Sequence, residues 1–155
     1  MNLDGDYLLA ATRQEVWDKL NDTEVLKECI PGCEMLDEIS ANSYLATIRA
    51  KVGPVNAKFK SEINLRDVNE PESYVLSVKS KGGAAGMGEG LARVKLSEQE
   101  NSTKLDYSVE FKVQGKLAQI GSRLIMNVIK KLSNEFFSRF VGYFPAMPDS
   151  AEASE

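Results

Sequence analysis

Few of the side chains that usually do chemistry are present. The sequence of 155 residues holds no histidine and two cysteines. Imidazole is the side chain whose unperturbed pKa lies between pH 5 and 8, and it is the commonest metal ligand. Ser-His-Asp and Cys-His catalysis and His-based zinc sites are therefore excluded. The thiols stand in Cys29-Ile30-Pro31-Gly32-Cys33, which supplies two of the four ligands of a closed zinc site and is not a Cys-x-x-Cys redox motif. They read as small buried hydrophobes rather than as a redox pair or a disulfide.

The other distinctive segment is Lys81-Gly82-Gly83-Ala84-Ala85-Gly86-Met87-Gly88-Glu89-Gly90. A phosphate loop ends in Gly-Lys-Ser or Gly-Lys-Thr and runs into a helix. Here Leu91-Ala92-Arg93-Val94-Lys95-Leu96 continues with strand alternation instead. Carrying the parity of Val94 and Leu96 backwards puts Ala92, Gly90, Gly88, Gly86 and Ala84 on one face, a row nearly free of side-chain volume. Glycines inside strands mark bends, bulges or the close approach of another group. Ala46, Ala50, Ala57 and Ser61 are small as well and lie on the same concave face. Bulkier Tyr44, Ile48, Phe59, Leu105, Tyr107 and Phe111 surround them, and Leu124, Val128 and Phe136 face them from a helix. The pattern predicts an apolar cavity suited to a greasy small molecule. The competing arrangement packs the helix directly on the glycines and leaves no void.

Acid-base chemistry inside such a cavity needs inward carboxylates or lysines with perturbed pKa values. Glu62, Glu89, Glu110 and Lys58 fall on the outward parity of regular strands, and only a bulge among its glycine neighbours turns Glu89 inward. Inward Tyr44, Tyr74 and Tyr107 read as core residues with hydrogen-bonded hydroxyls. On the outer face Arg49, Lys51, Lys58, Lys60, Lys79 and Lys81 come from three strands and can form one basic stripe. It is either a solvated face that blocks aggregation or a docking site for an acidic protein or an anionic membrane. Phe136-Phe137-Ser138-Arg139-Phe140-Val141-Gly142-Tyr143-Phe144 is denser in aromatics than one buried face requires. Phe137, Tyr143 and Phe144 are expected to be partly exposed, at a pocket mouth, a membrane or a dimer contact.

The elements that must position these residues follow from periodicity. Leu3, Gly5, Tyr7 and Leu9 alternate with Asp4, Asp6 and Leu8 as a first strand. Thr12-Arg13-Gln14-Glu15 is a capping box that starts a short helix with Val16, Trp17 and Leu20 inside. A second short helix, near 23 to 28, stops at Pro31-Gly32. Residues 33 to 114 read as antiparallel strands. Gly53-Pro54 reverses the chain, and pairing across it sets Val52 against Val55, Ala50 against Ala57, Ile48 against Phe59 and Ala46 against Ser61. Further strands are expected at 73 to 81, 84 to 97 and 103 to 114. From Leu117 to Phe140 the period becomes 3.6, which predicts one amphipathic helix of about 25 residues. The fold class is α+β: one curved antiparallel sheet of seven strands wrapped around a long C-terminal helix, with two short helices after the first strand. Residues 1 to 142 form a single domain in this reading, and 143 to 155 a flexible tail.

Composition narrows the function classes. Nineteen Lys and Arg against 23 Asp and Glu give a net charge of −4, the wrong sign for a dedicated nucleic-acid binder. The acidic N-terminus is no signal peptide, and no apolar run reaches membrane-spanning length, so the chain reads as cytoplasmic.

Several segments together resemble one family: Val16-Trp17-Asp18-Lys19-Leu20-Asn21-Asp22, Cys29-Ile30-Pro31-Gly32-Cys33, Val52-Gly53-Pro54-Val55-Asn56-Ala57-Lys58-Phe59, the glycine-rich strand, and Gly115-Lys116-Leu117-Ala118-Gln119-Ile120-Gly121. These are similar to the G subunit of carbon monoxide dehydrogenase, in the helix-grip superfamily of START, plant-allergen and polyketide-cyclase domains. The resemblance implies an accessory protein of molybdenum hydroxylases that helps the enzyme associate with the membrane, carries no molybdenum, flavin or iron–sulfur cofactor, and has no catalytic motif. The function expected is non-catalytic: a cavity holding a lipid or quinone and an outer face that docks the hydroxylase, as a monomer or a dimer. The alternatives are a cyclase- or dehydrase-like enzyme using the same cavity, or a structural assembly factor with a filled interior.

Overall fold

The capping box at Thr12 forms with both halves in place. The Glu15 amide donates to Thr12 Oγ1 at 3.1 Å, and the Thr12 amide donates to Glu15 Oε1 at 3.1 Å. Two orphan amides of the helix start are thereby satisfied. A computed structural model describes residues 1–145. Its elements are β1 (Asn2–Leu9), α1 (Arg13–Leu20), α2 (Thr23–Cys29), β2 (Cys33–Ser40), β3 (Ser43–Val52), β4 (Val55–Asn69), β5 (Ser73–Lys81), β6 (Met87–Gln99), β7 (Ser102–Gln114), α3 (Lys116–Gln119) and α4 (Ser122–Val141). The strands form one antiparallel sheet in the order β1-β7-β6-β5-β4-β3-β2, curved over the C-terminal helix.

The β3–β4 hairpin has the register expected from its apolar pattern, with Val52 on Val55, Ala50 on Ala57, Ile48 on Phe59 and Ala46 on Ser61. A slip by one residue would turn Ile48 and Phe59 into solvent, which is why the pattern alone fixes the pairing.

Two expectations about the elements are corrected. The single long helix is two pieces, because Gly121 sits at φ +101 between α3 and α4, a left-handed conformation that L side chains rarely adopt and that no helix continues through. The strand expected from residue 84 begins at Met87, after a one-turn 3₁₀ helix at Gly83–Ala85.

The interior divides into a solid end and a looser end. At the solid end Leu9, Val16, Trp17, Leu20, Tyr74, Leu96, Leu105 and Phe140 are buried in one cluster. Phe137 belongs there, not at the surface: it is 8% exposed and packs against both Tyr7 at 4.6 Å and Tyr107 at 4.9 Å, which also stack on each other. Tyr143 and Phe144 pack partly buried on the same cluster, and the rest of the expected tail, 146–155, lies outside the described residues. The second cluster joins Val52, Phe59, Ala85, Phe111, Leu117 and Ile125.

The tyrosines of this fold carry a pH dependence. Burial pushes the phenols of Tyr44, Tyr74 and Tyr107 above the ordinary range. Tyr143 donates to the Glu28 carboxylate and is pushed up to about 12. The folded state therefore favours neutral phenols, whereas unfolded tyrosines ionise near pH ~10. Their contribution to stability is whole below about pH 10 and is lost as pH rises from there through about 12. Urea midpoints should stay level to about pH 10 and then fall, with phenolate absorbance following the loss of fold. Four phenolates appearing near pH ~10 in folded protein would show these rings to be open to water.

Candidate functional site

The sheet register assembles a floor of small residues that no single strand contains. Ser61 of β4 pairs with Ser80 of β5, Ser80 with Gly88 of β6, and Gly88 with Val113 of β7, and Ala50 of β3 lines the same floor. The next row crosses Val78, Gly90 and Phe111. All of these lie on the face toward the helices, since β-strand side chains alternate. Above the floor, Val52 and Phe59 close in from the hairpin, Leu117 from α3, and Ile125, Val128, Ile129 and Leu132 from α4. Between them is a cavity of about 310 Å³, near the lower end of the size range of small-molecule sites. A methyl group placed on Gly88 would meet nothing closer than 3.8 Å, and one on Gly90 likewise. The space over these glycines is open and the helix does not plug it.

Among the residues expected to line a cavity, Ile48, Ala50, Phe59, Ser61, Gly88, Gly90, Phe111 and Val128 do line this one. Others lie elsewhere, for identifiable reasons. Gly86 is not a strand residue: it sits at φ +110 under the 3₁₀ turn, where a Cβ would come within 2.1 Å of the Gln114 carbonyl oxygen. Leu124 is 39% exposed and lies over Gly53, because the break at Gly121 resets the helical phase and turns Ile125 inward in its place. Tyr107 and Phe136 belong to the aromatic stacking of the solid end. Tyr44 and Ala46 are buried in the sheet beyond the cavity wall. Ala57 packs against the second cluster opposite Ala50, and Ala92 lies between Leu76 and Val109.

Ser80 is absent from the expected set, although extending the parity of Tyr74, Leu76 and Val78 by one step reaches it. Val113 likewise follows from the β7 alternation. Leu132 follows from the helical spacing four residues after Val128, whereas the helix contributors Ile125 and Ile129 are not legible without the break at Gly121.

The lining is almost wholly apolar. Its polar side chains are Ser61 and Ser80, whose Oγ atoms lie 2.6 Å apart, and at its edge Glu89 and Lys112, which pair with each other at 3.4 Å and are substantially exposed. Glu89 therefore keeps the outward parity. A wider groove of about 570 Å³ runs over the opposite face of β5, β6 and β7, past Lys79, Glu89, Glu110 and Lys112. It is open and of mixed polarity, with Met1, Val78, Leu91 and Phe111 beside the charged groups, and its Glu89 and Lys112 are satisfied by their mutual pairing.

The six basic residues do come to one outer face. Arg49 and Lys58 share Glu34, at 3.3 and 3.1 Å, which holds the Glu34 carboxyl below the usual range through hydrogen bonds from Lys58 and then Arg49. Lys60 stands opposite Lys81, Lys79 between Glu62 and Glu89, and Lys51 opposite Asn56. Cys29 is buried and Cys33 half-buried, both free, and burial pushes both thiols up, away from the thiolate that reactivity needs. Among the described residues no group of three or more His, Cys, Asp or Glu is placed to hold a metal, and no helix is long and apolar enough to cross a membrane.

Known proteins share this architecture. Ara h 8.0201 is 14% identical over 92% of this chain and 96% of its own, with a TM-score of 0.64. Zhui aromatase/cyclase from Streptomyces sp. R1128 is 13% identical over 92% of both chains, with a TM-score of 0.68. At such identities the likeness is one of fold, the helix grip. A conserved protein from Geobacillus kaustophilus is similar at 32% identity over 92% of this chain and 94% of its own, with a TM-score of 0.86. No curated protein sequence matches the chain. The family model for the carbon monoxide dehydrogenase G subunit (CoxG) matches residues 5–142. That span runs from the first strand to the end of the last helix, and the chain belongs to the CoxG family, named for the G subunit of carbon monoxide dehydrogenase.

Proposed function

We propose that the chain is a non-catalytic accessory subunit that holds an apolar small molecule, a lipid or a quinone, in the cavity over Gly88 and Gly90. In this reading it helps a molybdenum hydroxylase associate with the membrane or with its electron acceptor. The observation that carries the proposal is the cavity of about 310 Å³ with its apolar lining. Close-packed interiors leave few voids larger than a water molecule, so a hollow of this size over a floor of Ala, Ser and Gly is a place for a guest. The family, named as a subunit of carbon monoxide dehydrogenase, supports an accessory role. General acid-base catalysis needs an ionisable group within hydrogen-bond reach of the substrate, and the charged pair at the rim, Glu89 and Lys112, is occupied with itself. That weighs against a cyclase-like reaction. The outer basic face, with Lys60 beside Lys81, would be the side presented to the hydroxylase or to anionic lipid.

Native mass spectrometry of gently purified protein, followed by solvent extraction, should reveal a co-purifying hydrophobic compound. Added short-chain quinone or lipid at about 100 times its Kd should stabilise the fold by ~2.7 kcal/mol, a rise in Tm of about 5–10 °C for a chain of this size. No adduct and no rise in Tm would end the carrier reading.

A further inference from the structure

We infer that the Ser61–Ser80 hydroxyl pair is the polar anchor of the cavity, and that it selects apolar molecules carrying a carbonyl oxygen over plain hydrocarbons. The inference rests on the carrier reading above and narrows its ligand class. Ser61 is 2% exposed and Ser80 half-buried, and both line the cavity. They sit directly opposite each other on β4 and β5 with their oxygens 2.6 Å apart. Two hydroxyls bring two protons, and their mutual bond uses one. Among the described residues neither hydroxyl has another side-chain or backbone partner. The ladder between β4 and β5 already occupies the neighbouring backbone groups.

A buried donor without an acceptor is costly. Alanine would have made an equally small floor, as it does at Ala50 in the same lining. The second proton therefore calls for an acceptor from inside the cavity, where Ile48, Phe59, Phe111, Val113 and Ile125 are hydrocarbon and the one carboxylate at the rim, Glu89, is paired with Lys112. A guest that buries its carbonyl against Ser61 and Ser80 satisfies the pair. A guest of the same shape without the oxygen leaves the proton stranded, and hydrogen-bonding sites discriminate most strongly in that direction.

The test compares two rigid compounds of matched shape, fluorenone and fluorene, which differ by one carbonyl oxygen. Calorimetric or fluorescence titration of the wild type should show fluorenone binding about 3- to 10-fold more tightly than its hydrophobicity alone predicts relative to fluorene, the worth of one neutral hydrogen bond. In S61A/S80A that preference should vanish while fluorene binds as well or better. Single variants S61A and S80A should each lose part of it. A preference unchanged in S61A/S80A, or absent from a wild type that binds both compounds, overturns the anchor and leaves the carrier reading intact. Failure of both compounds to bind a folded wild type overturns both. Melting curves without ligand separate a loss of recognition from a loss of fold: the hydroxyl pair as a mere strand clamp would lower Tm and leave the ratio of affinities unmoved.

Discussion

Gly88→Leu is expected to abolish ligand uptake and to leave the protein folded. The backbone at Gly88 has no left-handed φ, and the two atoms nearest to an ideal Cβ at this position lie 3.8 and 3.9 Å away, so a side chain enters without a clash. It enters the cavity, between the Ser80 and Val113 positions, and a leucine occupies much of the volume a ring or chain would take. Burying the leucine side chain there contributes about 1.5–3 kcal/mol of hydrophobic transfer, and removing a strand glycine contributes about 0.5–1 kcal/mol more. The ligand-free variant should therefore melt at or above the wild-type temperature. Its ligand-induced rise in Tm, corresponding to ~2.7 kcal/mol for the wild type at about 100 times Kd, should be gone. Gly86→Leu is the control that separates space from backbone. It belongs to the same sequence row, yet its Cβ would lie 2.1 Å from the Gln114 carbonyl oxygen at φ +110, so that variant should fail to fold. Retained binding in Gly88→Leu, by the same titration, would mean that the guest sits elsewhere.

Phe137→Ala is expected to be the most destabilising of the conservative truncations, by about 3–5 kcal/mol. The ring packs against Tyr7 at 4.6 Å and Tyr107 at 4.9 Å, and Phe136 meets it edge-on at 5.0 Å. Its removal uncovers both tyrosine rings and leaves a ring-sized void beside them. Domains are stable by about 5–15 kcal/mol in all, so the loss is a third or more of the total in a typical case. Tm should drop by about 6–20 °C. Chemical denaturation should show the same loss as a lower midpoint with an unchanged slope. Binding by the fraction that stays folded should be near normal, because Phe137 is at the solid end and does not line the cavity. A loss below about 1 kcal/mol, the scale of an ordinary surface or partly exposed position, would contradict the stacking.

How much of the molecule is legible in its sequence depends on whether a signal is local. The Thr12–Glu15 cap and the Gly53-Pro54 hairpin are each decided within a few residues, by an amide that needs an acceptor and an apolar face that must stay on one side. Both appear as the residues demand. Parity places inward-facing Ser61, Gly88 and Gly90 correctly, because a regular strand alternates without exception. It fails at Gly86, where alternation is carried through a segment that has already turned. The same rule, taken one step further along β5, reaches Ser80. In the helix a one-residue phase shift at Gly121 exchanges Leu124 for Ile125, since each residue rotates the helix face by about a quarter turn or more.

The succession of elements along the chain, the class of the fold and the scarcity of groups able to do acid-base or metal chemistry are thus properties of the chain read as a string. Tertiary structure alone decided that the aromatics gather at one end around Phe137 and that the small residues of four strands meet in rows at the other. The physical reason is that volume is left over only where rows from different strands coincide under a helix. That coincidence depends on register and helix phase across the whole molecule, and no short segment encodes it.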